Sequence, residues 1–461
     1  MRNERDSFGD LPVPDDALYG ASTERARLNF PISGHRLPAG FIAALGLVKA
    51  NAAAANEQLG LLSAEKSRLI QLAAREIAGG GQLEHFPLDV FQTGSATSTN
   101  MNANEVIANR VSQLSDEPLG SRRPVHPNDD VNMGQSSNDV MPTTLHVSVA
   151  IALKDQLVPA LNRLAAALER KASEFDGIVK IGRTHLMDAT PMTLGQELSG
   201  HAAQVRKAVG RVERGMAGLC ELAIGGTAVG TGINTHPDFA RLVCEGLERD
   251  TGIPFKEAAN HFEAQGARDD CADVAGVLAT TAASLTKIAN DVRLLGSGPR
   301  AGLAELRLPP TQPGSSIMPG KVNPVMSEML VQVGLYVQGL TQTAVLCARD
   351  GHLQLNVTIP LMAYSLHESI GCLSSGARMF AERCVDGLEA DEARCRELVD
   401  RSLMLVTALN PVIGYDAAAS VAKEAFASGR TLREVVLARG LVDADRLDAL
   451  LDPTTMLKPK A

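Results

Sequence analysis

Apolar residues in the middle of the chain recur with an alternating 4,3 spacing. Four seams keep it over three heptads: Leu198, Ala202, Val205, Val209, Val212, Met216, Leu219; Val274, Leu278, Thr281, Leu285, Ile288, Val292, Leu295; Met326, Leu330, Val333, Val337, Leu340, Ala344, Cys347; and Ile359, Ala363, Leu366, Ile370, Leu373, Ala377, Phe380. A looser fifth seam, Val149, Leu153, Leu157, Leu161, Leu164, Leu168, contains Pro159, which predicts a kink because proline brings no N–H to the helical ladder. This spacing predicts long helices packed at shallow angles, as in a bundle or coiled coil. Each would run for about 30 Å or more at 1.5 Å per residue. Small or polar seam members (Ala202, Thr281, Ala344, Ala363) predict close helix approach and are compatible with helices from other subunits.

The flanks differ. Residues 1–40 are rich in turn formers and predict an irregular opening segment. Ala-rich runs at 41–59 and 64–77 predict two helices, the second stopped by Gly79-Gly80-Gly81. Beyond residue 390 the pattern shortens to helices at 391–407, 416–428 and 431–439, a small helical C-terminal domain.

Composition narrows the class. Of 461 residues 45% are hydrophobic but only 3% aromatic, with no Trp, so Ala, Leu and Val do the packing and helices are favoured over a β-sandwich. A net charge of −9 without basic runs argues against nucleic acid as a partner. Seven cysteines without a C-x-x-C pair predict buried thiols in a reducing compartment. The N-terminus lacks an apolar h-region and no uninterrupted apolar window of membrane-spanning length occurs, so a soluble, cytoplasmic protein is expected.

Candidate chemistry sits in four polar clusters near helix ends: 93–105, 126–139, 182–188 and the loop Gly314-Ser315-Ser316-Ile317-Met318-Pro319-Gly320-Lys321-Val322-Asn323-Pro324. The loop packs two hydroxyls, a lysine and an amide between glycines and prolines, which suits a lid that carries its own oxyanion-stabilising groups. A plain Gly/Ser linker has no need of Lys321 and Asn323 two residues apart. A phosphate-binding loop fails on spacing, with five residues between Gly314 and Gly320 and Val322 after Lys321. His185, beside Thr184 in a Gly-flanked polar turn between helices, is a candidate acid/base; a structural histidine is the competing reading. Glu328, one turn into the next helix, could orient a histidine or merely face solvent. No metal-site spacing, nucleophile elbow or dinucleotide fingerprint occurs, so no metal or cofactor is expected. Hydroxyls, amides, one Lys and one His suit a small carboxylate substrate, and proton abstraction beside a carboxylate would need the oxyanion stabilisation that Lys321 and Asn323 offer.

From about residue 6 to 458 the chain resembles the class II fumarase/aspartase family. Gly314 to Pro324 matches that family's signature loop; Gly94-Ser95-Ala96-Thr97, His126-Pro127-Asn128-Asp129-Asp130, Ser136-Ser137-Asn138-Asp139 and Gly182-Arg183-Thr184-His185-Leu186 support it. The resemblance implies an all-α, three-domain fold (1–138, 139–390, 391–461) around a central long-helix bundle. It implies a homotetramer whose active sites draw on three chains, and a cofactor-free reaction on fumarate and malate. It makes Ser315 the base at C3, and His185, partnered by Glu328, the group acting on the water at C2. Ser95, Thr97, Ser136, Ser137, Asn138 and Thr184 would grip carboxylates, while Ser316, Lys321 and Asn323 would stabilise the aci-carboxylate dianion. His126, Asn128 and Asp129 match a second dicarboxylate site. Ser136-Ser137-Asn138 reads as fumarase, whereas Gly351-His352-Leu353-Gln354-Leu355-Asn356 leans toward aspartase, which would release ammonia from L-aspartate. Ala96 stands where most of the family has Gly.

Overall fold

The computed structural model describes residues 1–459. The fold is all-α: long helices dominate, and the described strands pair only two by two. The chain divides into two compact units. One comprises Met1–Pro159, Ala208–Ala283 and Val333–Ser375; the other comprises Ala160–Lys207, Ser284–Gln332 and the stretch from Gly376 on.

Each long seam lies on one helix, Leu194–Gly218, Asp269–Leu295, Val325–Arg349 and Ile359–Arg383, except that Leu219, the last member of the first seam, falls one residue past its helix. The last is the most complete, with Ile359, Ala363, Leu366, Ile370, Leu373, Ala377 and Phe380 all fully buried. Each buried Leu, Ile or Phe of such a seam stabilises by about 1.5–3 kcal/mol relative to exposure. The fifth seam is interrupted where proline requires it. Helix Ser137–Ala152 passes through a π-helical turn, Leu153–Leu157, before helix Val158–Glu174 resumes, because Pro159 offers no N–H to the preceding turn.

Three expectations change. The opening segment is ordered: strands Arg2–Asp6 and Gly9–Val13 form a hairpin, and helix Ala21–Asn29 follows. The half-buried Glu105 carboxylate clasps that region, accepting N–H bonds from Gly20, Ser22 and Thr23. In the C-terminal region the first helix stops at Arg401, and Ser402 accepts the N–H of Met404 to start the 3-10 turn Leu403–Leu409. All seven cysteines are free, and Cys372 is half-buried rather than buried.

Two helices, Ala39–Gln58 and Val325–Arg349, are long and apolar enough to cross a membrane. The first spends that character inside its own unit, with 72% of the apolar window buried and Lys49 at its centre. The second is only 33% buried over its window, and Leu335, Tyr336, Val345 and Leu346 face outward.

His367 gives the first unit an acid-sensitive core. Its ring lies in the Ile359–Arg383 helix, with Nε2 2.9 Å from the Ser148 hydroxyl and Gly40 against its edge. Burial pushes its pKa down from 6.5 to about 4. The folded state therefore binds this proton later than the unfolded chain does. Its contribution is present above pH 6.5 and lost as pH falls toward 4, by about 3 kcal/mol in all. Denaturant titrations of His367→Gln across that interval should lose less stability than wild type by about that amount. Equal pH slopes would contradict the assignment.

Candidate active site

The first unit brings two helix N-termini together. Thr97–Leu114 begins at Ala96 and Ser137–Ala152 begins at Ser136. Between them three hydroxyls form a chain: Ser95 Oγ lies 2.7 Å from Thr97 Oγ1, which lies 2.7 Å from Ser137 Oγ. Three hydroxyls carry three protons and two bonds join them, so one O–H stays free to donate to a ligand. Free N–H groups at both helix starts favour an anion at the same place. Ser136 accepts the Asn138 N–H at 3.2 Å as the N-cap, and Asn138 Nδ2 donates to Ala228 O at 2.8 Å. Ala96 is fully buried in the left-handed region, φ 60°, at the hinge between Ser95 and Thr97. A glycine would adopt that backbone freely; alanine holds it at a cost of about 1 kcal/mol.

Asp139 organises the start of the second helix, and the Ser-x-x-Asp spacing of a capping box is its one sequence signal. It is fully buried and accepts N–H bonds from Ser136 at 2.9 Å and from Gly225 and Thr227 at 3.0 Å each. Burial raises its pKa to about 6 against those bonds, which pull it down.

Asn128 and Asp129 lie on the turn Pro127–Val131, and His126 is its N-cap. His126 Nδ1 accepts the N–H of Asn128 at 3.3 Å and of Asp129 at 3.1 Å, so a neutral ring carries its proton on Nε2. Asp130 anchors the turn through the His126 N–H and Lys66 Nζ, each at 2.8 Å.

In the second unit Thr184 and His185 sit on a β-hairpin, not in a turn between helices. Strands Val179–Thr184 and Met187–Thr193 pair with Thr184 opposite Met187, leaving His185 and Leu186 as a two-residue turn. Both have positive φ, 58° and 62°, the requirement of a type I′ turn. Neither is the Asn or Gly that such a turn prefers, which is why the sequence hid the hairpin. Non-glycine residues held this way cluster at functional sites. The hairpin base is locked from both faces. Ile181 joins the C-terminal apolar core with Val399, Leu409 and Val435. Fully buried Glu305 accepts both Arg183 guanidinium nitrogens at 3.0 and 2.9 Å and lies 3.1 Å from buried Lys180.

The 314–324 loop, in the same unit, closes on itself. The Gly314 N–H donates to Lys321 O at 2.9 Å, and Asn323 Nδ2 donates to Gly314 O at 2.7 Å. A Cβ on Gly314 would lie 2.3 Å from Lys321 O, so this neck requires glycine. At the tip Ser315 Oγ accepts the N–H of Ile317 at 3.2 Å and of Met318 at 3.0 Å. Two donors aimed at one hydroxyl oxygen stabilise it most when that oxygen is negative. Ser316 and Lys321 are exposed. Among the described residues, neither the His185 ring nor the Glu328 carboxylate has a hydrogen-bond partner, and no three His, Cys, Asp or Glu side chains gather as metal ligands.

A family model described as lyase matches residues 9–339, and one for the fumarase C C-terminus matches residues 405–458. A relative named class II fumarate hydratase 2 from Bradyrhizobium diazoefficiens is 52% identical over 99% of this chain and 97% of its own length. The chain belongs to the class II fumarase family. The mitochondrial fumarate hydratase of Saccharomyces cerevisiae is 49% identical over 100% of this chain and 94% of its own. Among solved structures, the class II fumarase of Schistosoma mansoni superposes with a TM-score of 0.97 at 40% identity, each chain fully covered. The names of these relatives side with Ser136-Ser137-Asn138 rather than with the aspartase-like stretch at 351–356.

Proposed function

We propose that this chain is a hydro-lyase that interconverts (S)-malate and fumarate. Support for the chemistry rests above all on Ser315 Oγ, which accepts two loop N–H groups. Support for the substrate comes from full-length relatives named fumarate hydratase.

In this reading Ser315, as an alkoxide held by the Ile317 and Met318 N–H groups, takes the C3 proton of malate. The C–H electron pair moves onto the adjacent carboxylate and makes an aci-carboxylate dianion. Lys321 supplies charge, and Ser316 and the second N–H of Asn323 supply donors to it. The C2–O bond then breaks as His185 delivers a proton to the departing hydroxyl, which leaves as water. Glu328 orients His185. Ser95, Thr97, Ser136, Ser137, Asn138 and Thr184 hold the two carboxylates. His126, Asn128 and Asp129 form a second dicarboxylate site.

A homotetramer fits the outward Leu335, Tyr336, Val345 and Leu346 of Val325–Arg349, because exposed apolar side chains of this kind are stable against another helix. Sites completed across subunits would give His185 and Glu328 their partners. A cytoplasmic location accords with the free cysteines.

Following fumarate absorbance with malate, and separately with L-aspartate, tests the reading. Malate should turn over and aspartate should not; aspartate turnover without malate turnover would overturn it.

A further inference from the structure

A lysine inside an apolar helix needs a reason. Lys49 lies in the middle of Ala39–Gln58, fully buried, and no carboxylate among the described residues lies within ion-pair distance of it. Its Nζ donates instead to two amide oxygens, Asn132 Oδ1 and Gln135 Oε1, each at 3.0 Å. Removing a charge from water for two neutral acceptors is costly, so packing alone does not account for it.

The bonds continue in one direction. Asn132 Oδ1 also accepts Asn100 Nδ2 at 3.1 Å and Asn104 Nδ2 at 3.3 Å. Those asparagines lie three and seven residues beyond Thr97 on the same helix, so Lys49 ties the Thr97 helix to the segment that leads into Ser136. Asn132 Nδ2 donates to Gln135 O, and Gln135 Nε2 to Val131 O and Met133 O, all at 3.1 Å, so the segment has no slack. On the far side of Ser136, Asp139 fixes the same turn to Gly225 and Thr227. A buried cation and a buried carboxylate thus bracket the turn that presents Ser137 to Thr97.

We infer that Lys49 is a positioning residue for the proposed hydratase reaction, holding Asn132 and Gln135 from the interior so that the Ser95–Thr97–Ser137 hydroxyls stay set for a substrate carboxylate. The inference rests on the fumarate reading. Lys49 also places a positive charge behind an anion site without touching the ligand. Burial pushes its amine down to about 7, with the Asp139 charge opposing. Of the charged groups on the helices packed against Ala39–Gln58, Lys66 is paired with Asp130, and Asp250 accepts from Asn51 and lies 3.3 Å from Arg75. Loss of the proton removes the charge and leaves two N–H groups for the two amide oxygens, so carboxylate binding weakens as pH rises through 7.

The test is the kinetics of Lys49→Met, which fills the volume without donors, against Lys49→Gln, which keeps a donor toward Asn132 and Gln135. For the Met variant KM for fumarate should rise roughly tenfold, the loss of about one charged hydrogen bond, while kcat changes less than about threefold. The wild-type rise of KM above pH 7 should flatten, and Gln should recover part of the KM. If Met does not fold, the Gln variant alone is read, with a smaller KM increase and the same flat pH profile expected. Wild-type KM and pH profile in a folded variant, or a loss confined to kcat, overturns the role of Lys49. An inactive wild type on both malate and fumarate overturns the parent reading instead.

Discussion

Ser315→Ala should lower malate and fumarate turnover by about 10²–10⁴-fold, the range a positioned general base contributes. The methyl keeps the volume but removes the oxygen on which the Ile317 and Met318 N–H groups converge. Both donors sit on an exposed loop and can turn to water, so stability should change by less than about 0.5 kcal/mol. KM should stay within a few-fold, because the carboxylate grip is assigned to other residues. Steady-state kinetics together with a thermal melt separate the effects. Near-wild-type turnover in a normally folded Ser315→Ala enzyme would remove Ser315 from the mechanism.

Glu305→Ala should be the most damaging single change for the fold of the second unit, costing about 3–5 kcal/mol, as when one partner of a buried ion cluster is removed. Glu305 is fully buried and is shared by Arg183 and Lys180, of which Lys180 keeps only Glu197 at 2.6 Å once it is gone. Two cations at the hairpin base would then face each other at low dielectric. The loss should appear in the denaturation midpoint, and kcat should fall as the His185 turn loosens. A loss below about 1 kcal/mol would mean that water reaches the cluster and screens it.

What the sequence revealed and what it hid divide along the range of the interactions. Seams such as Ile359 to Phe380 are local periodicity, and every residue of that one is buried. The 314–324 loop is equally local, because its glycines, prolines and Ser315 make their bonds within eleven residues. The His185 hairpin escaped because its turn breaks the Asn-Gly rule and its register depends on Ile181 and Glu305 packing far along the chain. Lys49 escaped for a similar reason. In an Ala-rich run it looks like a solvated side chain, and only residues 83 and 86 positions away draw it inward. Asp139 was visible as a cap but not as the clasp on Gly225 and Thr227.

The two left-handed residues at that hairpin tip set a limit on improvement. A stability-guided redesign would write Asn-Gly over His185-Leu186, recover roughly 1–2 kcal/mol of strain at each position, and erase the ring in the same stroke. Under the proposed mechanism robustness and activity therefore compete for the same two codons, and selection for heat tolerance alone would drive this hairpin toward a well-folded but silent protein.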